Sequence, residues 1–150
     1  MKLEKCLNEF LSDLAVFYRK LQNYHWYVEG KDFFTVHVKL EELYDEINEN
    51  IDEIAEHILI LGGEPLATLQ DYLNSSKIIE AENKPIKSEV IYHNLINDYS
   101  MLLKKAIEIK EEADNQKQYG TSSLIDNYIL SYGKIIWMLK QSMQQNKEDE

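Results

Sequence analysis

One cysteine, two prolines and five glycines in 150 residues leave little to punctuate or staple this chain. A lone Cys6 excludes an intrachain disulfide and suits a reducing compartment. Basic residues are scarce as well: 16 Lys and Arg stand against 27 Asp and Glu, a formal net charge of -11. Such an excess repels polyanions and offers no electrostatic reason to sit on nucleic acid or an anionic membrane. Long apolar runs are missing, and charges interrupt each apolar pair of the opening MKLEKCLNEF. Neither a secretory signal nor a membrane span is therefore expected, and the cytoplasm is the expected location. There is no glycine-rich phosphate loop, no CxxC pair, no internal repeat and no basic patch interleaved with aromatics.

What is present is helical periodicity. Leu3, Leu7, Phe10, Leu11, Leu14, Phe17, Tyr18 and Leu21 form one wide stripe, predicting a first helix from Leu3 to about Val28 that Gly30 ends. A second stripe of Val36, Leu40, Leu43, Ile47, Ile51, Ile54, Ile58 and Leu61 predicts a helix from Asp32–Phe34 to Leu61, stopped by Gly62 and Gly63. LATLQDYLNSS after Pro65 reads as a short helix. A third long helix is expected over Ser88 to Asn115. A fourth runs from the Gly120-Thr121-Ser122 break to about Gln144, with KEDE fraying behind it. Gly133 inside that helix costs about 1 kcal/mol in propensity and suggests close packing. The 26 residues from Gly62 to Lys87 far exceed the usual link between antiparallel neighbours. The expected fold is all-α: one ferritin-like four-helix bundle domain with a short helix in the crossover between helices two and three.

Three of the four histidines, His25, His37 and His57, fall in an acid-rich stretch with eight carboxylates between Glu41 and Glu56. A single histidine is more often structural than a ligand, and an acidic helix face is often merely solvated. The spacing here is more informative. His37 and Glu41 are four apart, as are Asp52 and Glu56, so each pair projects from one side of the second helix. Imidazole with carboxylate suits iron, zinc or manganese. Glu41 and Asp52, however, are eleven residues and therefore about 16 Å apart, too far for one centre. A second copy of the helix, packed antiparallel and crossing near residues 46 and 47, would bring His37 and Glu41 of one subunit to Asp52 and Glu56 of the other. The turn near residue 31 sets His25 opposite His37, which completes five candidate ligands at a subunit interface. The usual intrabundle di-iron site fits poorly, because no histidine here has a glutamate three positions before it.

The run from Asn23 through YHWYVEGKDFFTVH to His37, with Glu41, DEIAE at 52–56 and the Gly62-Gly63-Pro65 element, resembles the Dps family of mini-ferritins. The short crossover helix and the Ile136-Trp137-Met138 segment extend the likeness over most of the chain. The resemblance implies a four-helix bundle assembled from two-fold dimers into a hollow dodecamer, with a di-iron ferroxidase centre at each dimer interface. Carried across, His25, His37 and Glu41 come from one subunit and Asp52 and Glu56 from its mate. Glu41 stands where many members have the shorter aspartate, and Trp26 matches a tryptophan beside the centre that takes up oxidising equivalents. The implied activity is oxidation of Fe(II), with hydrogen peroxide in preference to oxygen, and storage of Fe(III) mineral. Two departures stand out. His57 follows Glu56 where arginine is common, and DNQKQYGTSS aligns poorly with the acids that line ion-entry pores in the family. Asp45, Glu46 and Glu49 either border the cavity or simply face solvent.

Two other classes compete: a DNA-compacting starvation protein, and a structural helical oligomer without redox chemistry. Phosphate binding needs basic residues, yet the N-terminus offers only Lys2 and Lys5, offset by Glu4. A gel shift at low salt should show no retarded DNA complex; a clear one would reverse this expectation.

Overall fold

A computed structural model describes residues 2–148, with side chains through residue 143. The chain divides into two compact units, residues 1–88 and 89–150, of which the described parts are taken in turn. In the first, α1 (Lys2–Tyr27) and α2 (Phe33–Ile60) form a hairpin, followed by the short α3 (Leu69–Ser75). Two-residue strands β1 (Val28–Glu29) and β2 (Ile86–Lys87) pair in parallel, with Val28 opposite Ile86 and Glu29 opposite Lys87. In the second unit α4 (Ser88–Asn115, from its second residue) leads into α5 (Tyr119–Glu148).

The α1 stripe is real. Leu3, Leu7, Phe10, Leu11, Leu14, Phe17 and Leu21 are all fully buried, as the 3–4 residue spacing requires of a core-facing helix. On α2, Val36, Leu40, Leu43, Ile47, Ile54 and Ile58 are buried as expected. Ile51 is only half-buried, and Asn50 takes the buried place beside it. The hairpin reverses at Gly30, whose φ of 130° is open to glycine and strained for any other residue. Asp32 precedes α2 without capping it; its carboxylate instead accepts a 2.7 Å bond from the Ser88 hydroxyl. A Glu29–Lys87 ion pair of 3.2 Å adds to the strand pair at the same level.

At the far end α2 closes in a Schellman turn. Gly62, with φ 84°, donates to the Leu59 carbonyl at 2.9 Å, and Gly63 donates to Ile58 at 2.9 Å. Side chains of α1 then hold the crossover. Glu4 accepts from the Glu64 amide (2.9 Å), and Asn8 both donates to the Glu64 carbonyl (3.1 Å) and accepts from the Leu66 amide (2.8 Å). Further on, buried Asp13 accepts from the Ser76 hydroxyl at 2.9 Å and the Lys77 amide at 2.8 Å. Thr68 caps α3 by accepting from the Asp71 amide. The crossover is long because it must travel, and it stays ordered because α1 supplies hydrogen-bond partners along the way.

In the second unit Ile91, Leu95, Tyr99, Leu102, Ala106, Ile109 and Ala113 line α4, and Ile125, Tyr128, Tyr132, Ile135, Ile136 and Leu139 line α5. Tyr99 and Tyr132 meet with ring centroids 5.6 Å apart, and Tyr128 stacks on Tyr132 at 6.0 Å. The break between these helices differs from expectation. It falls at residues 116–118, where Lys117 occupies the left-handed region (φ 59°) and Gln118 donates to the Ala113 carbonyl. This is a second Schellman turn, with lysine where glycine is usual, so its residues carry no glycine signal. Gly120 lies inside the first turn of α5, and a methyl group on Gly133 would meet nothing within 4 Å, so close packing does not explain that glycine. Helix α5 continues past Gln144 to Glu148; Asp149 and Glu150 of the KEDE terminus lie outside the described residues.

Asp13→Ala should reduce stability by about 2–3 kcal/mol, since it strands the Lys77 amide and removes bonds to a charged acceptor. Asp13→Asn, which keeps an accepting oxygen, should lose about 1 kcal/mol. Denaturant unfolding of the two variants against the parent measures the difference.

Candidate metal centre

The hairpin turn brings His25, near the end of α1, against His37, in the first turns of α2. Each histidine bonds the other's backbone: His25 Nδ1 lies 2.6 Å from the His37 carbonyl oxygen, and His37 Nδ1 lies 2.7 Å from the His25 carbonyl oxygen. A carbonyl oxygen can only accept, so both Nδ1 atoms carry the proton and donate it. In the neutral ring this leaves Nε2 as a bare lone pair, the tautomer a metal ligand needs, fixed by a hydrogen bond at the other nitrogen. The two rings are stacked, with centroids 3.6 Å apart and planes 14° apart. Phe33, one turn before His37, stacks on its ring at 4.8 Å, so three rings form a pile.

Tyr44 meets this pile edge-on, its ring centroid 5.3 Å from that of His25 at 84°. Its hydroxyl is 3.4 Å from Glu41 Oε1, as a donor. Burial, followed by the charge of Glu41 and this hydrogen bond, raises the phenol's pKa above its ordinary value, which keeps the donor protonated. Tyr18 braces Tyr44 in turn, edge-on at 5.8 Å. Sequence reasoning did not single out Tyr44. The available signal was its place three residues after Glu41, on the same face of α2.

Asp52 and Glu56 are both exposed on the C-terminal half of α2. A hydrogen bond with Asp52, together with repulsion between the two carboxylates, pushes the Glu56 pKa up. Two like charges held this close favour a shared proton or, equally, a bound cation. The structure thus brings together His25 with His37, Glu41 with Tyr44, and Asp52 with Glu56. Among the described residues of one chain, no three His, Cys, Asp or Glu side chains are grouped to hold a metal ion. Trp26 is 61% exposed beside His25. Asp45 and Glu49 are exposed and Glu46 is half-buried, while His93 is exposed on α4.

Comparison with known proteins gives this geometry its setting. A model of the ferritin-like domain matches residues 4–148. DNA protection during starvation protein 2 of Bacillus anthracis is 42% identical over 142 residues, covering 93% of this chain and 94% of that protein.

The chain belongs to the Dps family.

The Dps fold accounts for the four long helices, α1, α2, α4 and α5, with α3 in the crossover. The crystal structure of a Dps protein from Bacillus brevis matches with a TM-score of 0.91 at 33% identity, over 94% of each chain. That of a Vibrio cholerae Dps protein, described as a member of a broad superfamily of ferritin-like diiron-carboxylate proteins, matches with a TM-score of 0.91 at 36% identity. It covers 95% of this chain and 89% of its own. The architecture is therefore the ferritin-like four-helix bundle, as the periodicity and the long crossover imply. Among the described residues no helix is long and apolar enough to cross a membrane.

His57, next to Glu56, is half-buried, and desolvation lowers its pKa below 6.5. The sign follows from linkage. Unfolded chains take up this proton near pH 6.5, whereas folded ones resist it, so the contribution is intact above that pH and is lost as pH falls toward the folded value. His57→Gln should flatten the decline of melting temperature between about pH 7 and 5. Parallel thermal melts of variant and parent across that range check it.

Proposed function

We propose that this Dps protein takes up Fe(II) as its substrate, oxidises it with hydrogen peroxide in preference to oxygen, and stores the Fe(III) product as mineral. The single domain works in the cytoplasm as a hollow dodecamer built from two-fold dimers. Each dimer interface holds two centres, with His25, His37 and Glu41 from one subunit and Asp52 and Glu56 from its partner. The observation that carries this reading is the mutual clamp of His25 and His37, which frees both Nε2 atoms while fixing both rings. The Vibrio cholerae relative's description as a diiron-carboxylate protein supports it.

The chemistry follows from the donors. Imidazole nitrogen and carboxylate oxygen hold Fe(II) and, through the carboxylates, favour the harder Fe(III) once formed. Two Fe(II) with one hydrogen peroxide and two protons give two Fe(III) and two water molecules. Passing both electrons to one peroxide leaves no hydroxyl radical, which a lone Fe(II) would release. Glu56 would help hold a second, more weakly bound iron, and a cation there would relieve the repulsion it shares with Asp52. Trp26, exposed and next to His25 in sequence, would donate an electron when only one iron is present. The name of the Bacillus anthracis relative refers to DNA protection. A net charge of -11 favours protection by removal of iron and peroxide over protection by coating DNA.

Anaerobic Fe(II) titration followed by peroxide, on the parent and on Glu56→Ala, tests the proposal. The parent should consume one peroxide per two Fe(II). Glu56→Ala should oxidise iron at least about tenfold more slowly while keeping its assembly size. Equal rates with and without protein would favour a purely structural oligomer.

A further inference from the structure

The candidate ligands His25 and Glu41 lie on different helices, and one side chain touches both. Tyr44 sets its ring edge against the His25 imidazole, with centroids 5.3 Å apart, and its hydroxyl 3.4 Å from Glu41 Oε1. We infer that Tyr44 is a positioning residue of the metal centre, its phenol aiming the Glu41 carboxylate while its ring holds the plane of His25. This rests on the metal-site reading above and adds to it a side chain that contacts no metal.

Three features of the molecule support the role. Glu41 is exposed and has one methylene more than aspartate, so its carboxylate has an extra torsion to restrain before it can hold a cation. Tyr44 restrains it by engaging one oxygen, which leaves the other for the cation and favours one-oxygen coordination. Tyr44 is also anchored itself. Tyr18 packs edge-on against it at 5.8 Å, and Gln22 Nε2 donates to the Tyr18 hydroxyl at 3.1 Å. A line of contacts thus runs from Gln22 and Tyr18 on α1, through Tyr44, to Glu41 on α2. Any shift of one helix along the other would disturb both ligands through the same ring. Both histidines are already oriented by their own bonds to a backbone carbonyl, so the Tyr44 ring edge adds to the hold on His25 while its phenol is the restraint on Glu41.

Co(II) serves as the probe, bound to the assembled protein and followed by its visible ligand-field bands. Tyr44→Phe keeps the ring and loses the donor; it should weaken Co(II) binding by about threefold to tenfold. Tyr44→Leu, which also removes the ring edge, should weaken it further and alter the band shape. Glu41→Asp retracts the carboxylate from a contact already at 3.4 Å. In that background Tyr44→Phe should add no further loss, the signature of action through Glu41. Unchanged affinity in Tyr44→Phe, or the same loss with and without Glu41, overturns the inference. So does a phenolate-to-Fe(III) charge-transfer band in the oxidised parent that vanishes in Tyr44→Phe, since Tyr44 would then be a ligand. A parent that binds no Co(II) removes the metal-site reading itself, a result distinct from a binding parent with an indifferent Tyr44.

Discussion

The reciprocal hydrogen bonds between His25 and His37 are the constraint on which the rest of the first unit turns. Each ring uses its Nδ1 proton to satisfy a backbone carbonyl of the facing helix, so the same two bonds lock the hairpin register and choose the imidazole tautomer. The geometry leaves little slack, because stacked rings 3.6 Å apart cannot slide without breaking both bonds. Everything near the turn serves that register. Gly30 allows the reversal at φ 130°, Phe33 closes one face of the stack, and the strand pair of Val28–Glu29 with Ile86–Lys87 holds the turn at its outer side.

At the opposite end the demands differ. The crossover buries Ile78 but leaves Ile79 exposed, and α3 has no fully buried side chain. Its order comes instead from polar partners on α1: Glu4, Asn8 and Asp13 accept or donate to backbone groups at 64, 66 and 77. Replacing water at backbone groups with side-chain partners stabilises each by only about 1 kcal/mol, more where the partner is charged. Spread along the segment, they fix its path without a core of its own. Leu69 and Leu73 stay exposed on α3 as a result.

Much of this was legible in the sequence because helix periodicity and glycine stops are local signals. The five helices, the reversal at Gly30 and the stop at Gly62 follow from them directly. The opposition of His25 and His37 followed from counting equal distances to either side of residue 31. What was not legible depends on contacts between distant segments. Strands β1 and β2 are two residues each, too short for any alternation, and Val28 looks like the end of a helix until Ile86 is beside it. The turn at Lys117 uses a left-handed lysine, so a search for glycine displaced the break to Gly120. Asn50 rather than Ile51 takes the buried place because the buried positions step alternately by four and three from Val36 to Ile54, which lands on 50. Tyr44 escaped notice because tyrosine at helical spacing reads as packing, and only the distances to Glu41 and His25 say otherwise.

The division of labour between the two halves of α2 has an electrostatic logic. The first half presents His37, hydrogen-bonded to the His25 carbonyl, with Glu41 beside the Tyr44 phenol. The second half presents Asp52 and Glu56 unrelieved, one carboxylate raising the pKa of the other. Within one chain the two halves are about 16 Å apart along the helix, so the ordered nitrogen donors and the strained oxygen donors cannot meet. In the proposed dimer they do meet, and each half supplies what the other lacks. The imidazoles bring direction; the carboxylate pair brings charge whose repulsion only a cation or a proton removes. Such a centre would bind a divalent cation through the carboxylate pair and orient it with the imidazoles. The acidity that leaves the chain no electrostatic reason to bind nucleic acid is the property that, in the proposed function, would draw Fe(II).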